Sequence, residues 1–163
     1  MNGSQSGVIA LAGLTAVVVV AIDQLTKVLA RNAVSGGGSE ELFGGFVKIV
    51  DVRNSGVAFG QLSGGGPLVV VVVALAVGAL LWYFLSHLET PHIWLATGLV
   101  VGGAAGNIID RARAGAVSDF IKLPHWPAFN FADAAITVGV IAIVVLAELD
   151  ARRKRKLEQP SAP

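Results

Sequence analysis

Long runs of apolar residues without a charged side chain dominate this sequence. Four stretches contain no Asp, Glu, Lys or Arg: 1–22, 54–88, 90–109 and 134–147. A helix needs about 20 apolar residues to cross the hydrocarbon core of a bilayer, and each stretch contains or borders a segment near that length. The pattern predicts membrane-spanning helices at about 8–30, 67–86, 91–109 and 131–149.

The overall composition agrees with a membrane protein. Of the 163 residues, 54% are hydrophobic and only 14% are charged, and the mean hydropathy is +0.71. Soluble domains have about 25% charged residues. We therefore expect residues 1–163 to form a single integral membrane domain. The first span has no basic residue before its apolar core and no small-residue cleavage site after it, so we expect it to be retained.

Polar residues collect in the two connections that four spans place on the same side, 31–66 and 110–130. The first connection has glycine-rich ends and short alternating segments, such as 46–50, that predict a few short strands. A small sheet on the membrane surface would offer an extended peptide a strand edge to pair with; a flexible surface loop is the alternative. The expected fold is mainly α, with four transmembrane helices and a small extracytoplasmic β-rich platform in the first outer loop.

The basic cluster 152–156, within the tail 150–163, sets the expected orientation. Basic segments stay on the cytoplasmic side of the membrane, so both termini should be cytoplasmic and the polar connections should face outward. The outer side itself carries seven basic residues, and the prediction depends on the density of the tail cluster. We interpret this tail as an anchor at anionic lipid and not as a nucleic-acid-binding segment. The last residues, after 157, are predicted to be disordered.

The sequence contains no cysteine and three scattered histidines, His87, His92 and His125. The lack of cysteine excludes disulfides, thiol nucleophiles and cysteine-based zinc sites. The histidines have no metal-binding spacing, and we expect neither a metal nor an organic cofactor.

Asp119 and Asp133 are the candidate catalytic residues. Each is surrounded by apolar neighbours at the edge of the hydrocarbon, where a carboxylate carries a desolvation cost. Asp133 has a structural alternative, because Asn130 followed three residues later by an acidic side chain resembles a helix start with a capping interaction. If the two carboxylates meet, like charges about 3 Å apart share one proton, and the pair can act as base and acid in an aspartic protease dyad.

A second polar group ends the third span. Asn107 and Arg111 are four residues apart, which places them on one helix face, and the glycines beside them allow close helix packing. From this position Arg111 could hold a carbonyl or a carboxylate.

Five motifs in order resemble the lipoprotein signal peptidases, the signal peptidase II family of bacterial membrane aspartyl proteases. They are DQLTK at 23–27, RNSGVAF at 53–59, GNIIDR at 106–111, VSDF at 117–120 and FNFAD at 129–133. The resemblance implies that Asp119 and Asp133 form the catalytic dyad. It also implies that four polar residues line the substrate pocket: Asn54, Asn107, Arg111 and Asn130.

The same resemblance implies a supporting set: Asp23, Lys27, Gly56, Ala58, Phe59, Gly106 and Asp110. For Asp23 and Lys27 the spacing of four residues also predicts an ion pair with a structural role, which we favour over direct catalysis.

The resemblance further implies the substrate, a prolipoprotein whose signal peptide is removed before a cysteine that carries diacylglycerol. Such a protein would reside in the bacterial cytoplasmic (inner) membrane in contact with lipid, with the active site at its outer face, and we expect it to be a monomer. It would need no metal or organic cofactor and would bind no nucleic acid.

Three other functions fit the residues less well. A small proton-coupled transporter would use the aspartates as a relay, but the polar groups gather on one face and no inverted repeat is visible. A structural scaffold held by glycine-rich packing would tolerate loss of both aspartates. A serine–lysine dyad of Ser55 and Lys27 would leave both aspartates unexplained.

Overall fold

Four helices carry the apolar runs of the sequence. The structure is a computed structural model, and it describes residues 3–35, 38–55 and 66–158. The helices are α1 Gly3–Ala33, α2 Gly66–Ser86, α3 Ile93–Ala114 and α4 Phe131–Glu158. By length and composition, α1, α3 and α4 can each cross a membrane. Helix α2 has 21 residues and no charged side chain, so the mainly helical membrane fold is confirmed.

The helices extend beyond the predicted spans. The segments 8–30, 67–86 and 131–149 lie inside α1, α2 and α4, whereas 91–109 begins two residues before α3. Helix α4 continues through the basic cluster 152–156 because exposed pairs four residues apart support it: Arg152 with Glu148 at 2.6 Å and Lys154 with Asp150 at 2.8 Å. The disorder predicted after 157 falls mainly on residues 159–163, which lie outside the described residues.

Helix α3 packs closely against α1 on one side and α4 on the other. A Cβ atom on Gly102 would lie 2.7 Å from the Ala16 carbonyl oxygen of α1. A Cβ atom on Gly103 would lie 2.5 Å from the Ala132 carbonyl oxygen of α4. Only glycine permits this approach of the backbones, as is typical of small residues in membrane helices.

A three-stranded antiparallel sheet forms the polar end of the molecule. Its strands are β1 Glu40–Leu42, β2 Val47–Asn54 and β3 Val117–Lys122, in the order β1-β2-β3. The β-rich platform is confirmed, but it is larger than predicted, because β3 comes from the second outer connection. Strand β3 pairs with β2, which lies more than 60 residues earlier in the chain. Asn54 of β2 is opposite Val117 of β3 at one end of the paired strands.

The ends of β3 and α4 are brought together by a tight return of the chain. Gly115, with a φ of 71°, ends α3 by donating its N–H to the Arg111 carbonyl, and β3 starts two residues later. After β3 the chain turns back so that Phe129 bridges to Ile121. Asn130 and the first turn of α4 therefore lie beside Asp119.

Candidate active site

Asp119 lies on β3 and is held by two amide side chains. Its side chain is buried, with 2% of the residue exposed. Asn54 Nδ2, at the end of β2, donates to Asp119 Oδ2 at 3.0 Å, and Asn130 Nδ2 donates to Oδ1 at 2.8 Å. Both carboxylate oxygens therefore have a fixed donor, which sets the plane of the carboxyl group.

Asn130 and Asp133 form a reciprocal cap at the start of α4. The Asp133 N–H donates to Asn130 Oδ1 at 3.0 Å, and the Asn130 N–H donates to Asp133 Oδ2 at 3.1 Å. This is the capping interaction that the spacing predicted. Because the Asn130 side chain also donates to Asp119, one residue caps the helix and joins the two carboxylates.

Asn107 holds the other oxygen of Asp133 from α3. Asn107 Nδ2 donates to Asp133 Oδ1 at 2.8 Å. The Asn107 Oδ1 atom accepts from Asn130 Nδ2 at 3.2 Å and from Lys27 Nζ at 3.1 Å. With two donors on its oxygen, the amide of Asn107 can present only its NH₂ group to Asp133.

A buried charged cluster lies behind the amides. Lys27, with 1% exposed, forms ion pairs of 2.8 Å with Asp23 of α1 and Asp110 of α3. Asp23 Oδ1 accepts the Ala132 N–H of α4 at 3.0 Å, and Asp110 Oδ2 accepts the Ser118 N–H of β3 at 3.2 Å. The cluster therefore fixes the two elements that carry Asp119 and Asp133.

Burial raises the pKa of Asp119 above its ordinary value of 3.8, and the nearby negative charge of Asp133 raises it further. The hydrogen bonds from Asn54 and Asn130 and the charge of Lys27 oppose the shift without cancelling it. The carboxyl groups of Asp119 and Asp133 are thus electrostatically coupled, and Asp119 keeps its proton more readily than a free aspartate. An arrangement of this kind suits acid–base chemistry with one shared proton.

Arg111 and Gly106, two further residues of the predicted site, lie on α3 beside Asn107 and the charged cluster. Arg111 is half-buried, and its Nη1 donates to the Asn107 carbonyl at 3.3 Å. Gly106 packs on the charged cluster, since a Cβ there would lie 2.5 Å from Asp23 Oδ2. Gly56, Ala58 and Phe59 lie outside the described residues.

Two polar residues that the sequence analysis did not single out complete the site. Gln24 Nε2 donates to Asp23 Oδ2 at 3.1 Å and to Asp110 Oδ1 at 3.0 Å. Ser118 Oγ accepts from Arg31 Nη1 at 3.2 Å. A polar side chain next to Asp23 in an apolar helix was the available signal for Gln24. Across the described ranges, no group of three or more His, Cys, Asp or Glu is placed to hold a metal ion.

An apolar helical bundle with two coupled, amide-held carboxylates at its polar end defines a membrane protein equipped for aspartic-type hydrolysis. A model of the family described as signal peptidase (SPase) II matches residues 15–148. The chain belongs to this family, and it is a membrane peptidase of the aspartic type. The family resemblance drawn from the five motifs is confirmed.

Relatives and solved structures agree with this assignment. The chain is 39% identical over 143 residues to the lipoprotein signal peptidase of Anaplasma marginale (strain Florida), covering 83% of this chain and 84% of the relative. It is 43% identical over 132 residues to that of Symbiobacterium thermophilum, covering 77% and 86%.

A solved structure described as a bacterial membrane enzyme superposes with a TM-score of 0.78 at 31% identity, covering 95% of both chains. A second structure with a similar description has a TM-score of 0.75 at 35% identity, covering 84% of this chain and 92% of the other. These comparisons give the transporter alternative no support.

Proposed function

We propose that this protein removes signal peptides from prolipoproteins, cutting before a cysteine that carries diacylglycerol. The observation that carries the proposal is the carboxylate pair of Asp119 and Asp133, held by the side chains of Asn54, Asn107 and Asn130. Four fixed donors, one on each carboxylate oxygen, orient the two carboxyl groups, which is the preorganisation that acid–base catalysis requires.

The proposed reaction is attack of water on the scissile carbonyl carbon. The ionised carboxylate of the pair removes a proton from the water as its oxygen bonds to the carbon, and the protonated carboxyl donates a hydrogen bond to the carbonyl oxygen as it gains negative charge. When the tetrahedral intermediate collapses, the C–N bond breaks and the leaving nitrogen takes a proton from the pair. The products are the signal peptide with a new carboxylate and the lipid-modified cysteine with a free amino group.

The mechanism assigns no fixed acid and no fixed base, because either carboxyl group of the pair can hold the shared proton. The raised pKa of Asp119 favours that carboxyl as the first holder of the shared proton. The roles of Asn54, Asn107 and Asn130 are then to keep both carboxyl groups facing the same water molecule. Arg111, on the face of α3 that carries Asn107, is proposed to contact a substrate carbonyl.

The sheet at the polar end of the helices supports a proposed route for the substrate. We propose that the lipid-modified chain enters laterally from the bilayer, with its cleavage region extended along the sheet. The site would face the outer side of the bacterial cytoplasmic (inner) membrane, both termini would be cytoplasmic, and the enzyme would act as a monomer. Such a position gives the scissile bond access to water without a polar opening through the hydrocarbon core.

The test compares wild type with Asp119→Asn and Asp133→Asn. Each variant should cut a diacylglyceryl-modified prolipoprotein at least about 100-fold more slowly, because it lacks one partner of the acid–base pair. The matched control is Asp51→Asn, an exposed carboxylate on β2 of the same sheet, which should leave the rate unchanged. Gel-shift cleavage assays in lipid, together with a thermal unfolding curve for each variant, measure both activity and folding.

The same assay with an unlipidated precursor tests the proposed specificity. Wild type should cut the lipidated precursor and leave the unlipidated one intact. Near-normal cleavage by a folded Asp119→Asn or Asp133→Asn variant would contradict the dyad, and equal cleavage of both precursors would contradict the lipoprotein specificity.

A further inference from the structure

The end of the sheet remote from Asn54 carries a group of exposed aromatic side chains. Phe43 is 84% exposed, Phe46 62% and Trp126 59%. Exposing three large apolar side chains to water in one region of the surface is energetically unfavourable. We call this group of Phe43, Phe46 and Trp126 the aromatic end. Its side chains would be more stable in contact with apolar groups than in water.

Two different loops build the aromatic end, and strand register places them together. Phe43 and Phe46 lie in the turn between β1 and β2, next to the pair Leu42 and Val47. Lys48 of β2 is opposite Lys122, the last residue of β3. The loop that follows Lys122 contains Trp126 and returns to the sheet at Phe129, so both loops leave the sheet at the same end.

Both loops adopt conformations that L residues rarely occupy. Phe43 has a φ of 51°, and His125, which precedes Trp126, has a φ of 58°. Bulky residues avoid the left-handed region, and an exposed side chain offers no packing inside the protein to offset that cost. Strained backbone therefore occurs at Phe43 in the first loop and directly before Trp126 in the second.

Basic residues accompany the aromatic side chains. Lys122 Nζ donates to the Trp126 carbonyl at 2.8 Å, which fixes the second loop. Lys48 forms an exposed 2.6 Å ion pair with Glu41 in the first hairpin. Aromatic residues combined with lysine are the composition found where membrane proteins contact the lipid headgroup region.

The connections of the sheet keep it near the bilayer. β3 starts at Val117, directly after the end of membrane helix α3 at Ala114, and the chain enters α4 at Phe131. From Asn54 to Lys48 the strand runs about 20 Å, at about 3.3 Å per residue. An upright sheet would lift the aromatic end about that far into water, whereas a sheet lying along the membrane would place it at the depth of the helix ends.

We infer that the aromatic end is a lipid-interface anchor: Phe43, Phe46 and Trp126 insert between the lipid headgroups and hold the sheet flat on the membrane. The anchor attaches the sheet to the bilayer at the end remote from Asn54, in addition to the chain connections between the sheet and the helices. It fixes the tilt of β2 and β3 and, through them, the height of Asn54 and Asp119 above the hydrocarbon. The inference depends on the membrane location of the chain and not on the reaction proposed for its active site.

The absence of cysteine from the sequence permits a direct test with single labels. Spin labels are placed in the full chain through F43C and W126C, with L14C on α1 as the lipid reference and L157C on the tail as the aqueous reference. Leu14 and Leu157 are 61% and 78% exposed, so all four sites tolerate a label. The chain is reconstituted in vesicles of phosphatidylethanolamine and phosphatidylglycerol, and collisions with oxygen and with a neutral nickel complex are measured.

The expected result is a ratio of oxygen to nickel accessibility that is severalfold higher at F43C and W126C than at L157C, and below that of L14C. A ratio equal to that of L157C at either site would overturn the anchor. Shielding from both reagents, accompanied by dipolar broadening that grows with protein density, would also overturn it by showing contact between two copies. Shielding that requires an added prolipoprotein would assign the surface to substrate and overturn it as well.

Discussion

The buried ammonium of Lys27 acts at the level of single side chains as the common partner of three polar groups. It contacts Asp23, Asp110 and Asn107 at 2.8, 2.8 and 3.1 Å. Removing the Lys27 ammonium would leave two buried carboxylates without a cation. Because an unpaired buried charge is costly, this loss should destabilise the folded protein. The contact with Asn107 adds a second role, since it turns the amide so that its NH₂ group faces Asp133.

Replacing Lys27 with methionine should therefore lower the free energy of unfolding by about 3–5 kcal/mol. The matched control is Lys48→Met, which removes a lysine from the exposed ion pair with Glu41 and should cost at most about 1 kcal/mol. Denaturant titration in detergent compares the two. Equal losses of unfolding free energy in the two variants would show that the buried ion pairs of Lys27 stabilise the protein no more than the exposed pair of Lys48.

The raised pKa of Asp119 predicts a pH-dependent difference between wild type and Asp119→Asn. A carboxyl with a folded-state pKa above its unfolded value binds its proton more tightly when folded, so it contributes stability at low pH that is lost as the pH rises. The window begins near the ordinary value of 3.8 and extends upward. Relative to wild type, the melting temperature of Asp119→Asn should rise as the pH is raised through this window.

Melting curves of both proteins over a pH series measure the difference, and Asp51→Asn, at an exposed position on β2, serves as the control. A difference that falls with rising pH would mean that the amide donors outweigh burial and lower the pKa of Asp119.

Among the elements, α3 depends on glycine at its contacts with both neighbouring helices. Gly102→Ala should destabilise the bundle by about 1–3 kcal/mol, because the new methyl group meets the α1 backbone at 2.7 Å. Gly13→Ala in α1 is the control, since a Cβ there meets nothing within 4 Å. There the exchange should stabilise the helix by about 0.5–1 kcal/mol. Thermal unfolding of both variants tests the contrast; two losses of equal size would refute close packing as the reason for Gly102.

The sequence predicted the features that depend on neighbouring residues better than those that depend on pairing between distant segments. The apolar runs predicted the helices because the length of a membrane span is set by the bilayer. The spacing of Asn130 and Asp133 predicted the cap because both partners lie in one turn. β3 was not predicted as part of the sheet, because Val117–Lys122 has a charged residue at its centre and pairs with a strand from the other connection.

The same distinction applies to the site. Residue types and motif order selected Asp119, Asp133 and the three asparagines as candidates, and the structure brings their side chains together. Which amide holds which carboxylate, Asn54 on Asp119 and Asn107 on Asp133, depends on contacts 65 and 26 residues apart. Spacing along the chain contains no such information, which comes only from the pairing of β2 with β3 and the packing of α3 against α4.

At the scale of the whole molecule, charge is divided between two ends. Asp23, Lys27 and Asp110 are buried beside the carboxylate pair at the sheet end, whereas the cluster 152–156 lies exposed at the far end of α4. Under the positive-inside rule, the dense basic cluster of the tail predicts that this end of α4 lies on the cytoplasmic side.

Single-cysteine labelling should therefore place the two ends on opposite sides of the membrane. In spheroplasts, a membrane-impermeant maleimide should label Glu40→Cys on β1 from outside and should reach Leu157→Cys only after the membrane is permeabilised. The wild-type chain, which has no cysteine, gives the background, and labelling of both variants after permeabilisation controls for reactivity. Labelling of Leu157→Cys in intact spheroplasts would place the tail outside and the carboxylate pair in the cytoplasm, where an exported precursor does not present its cleavage site.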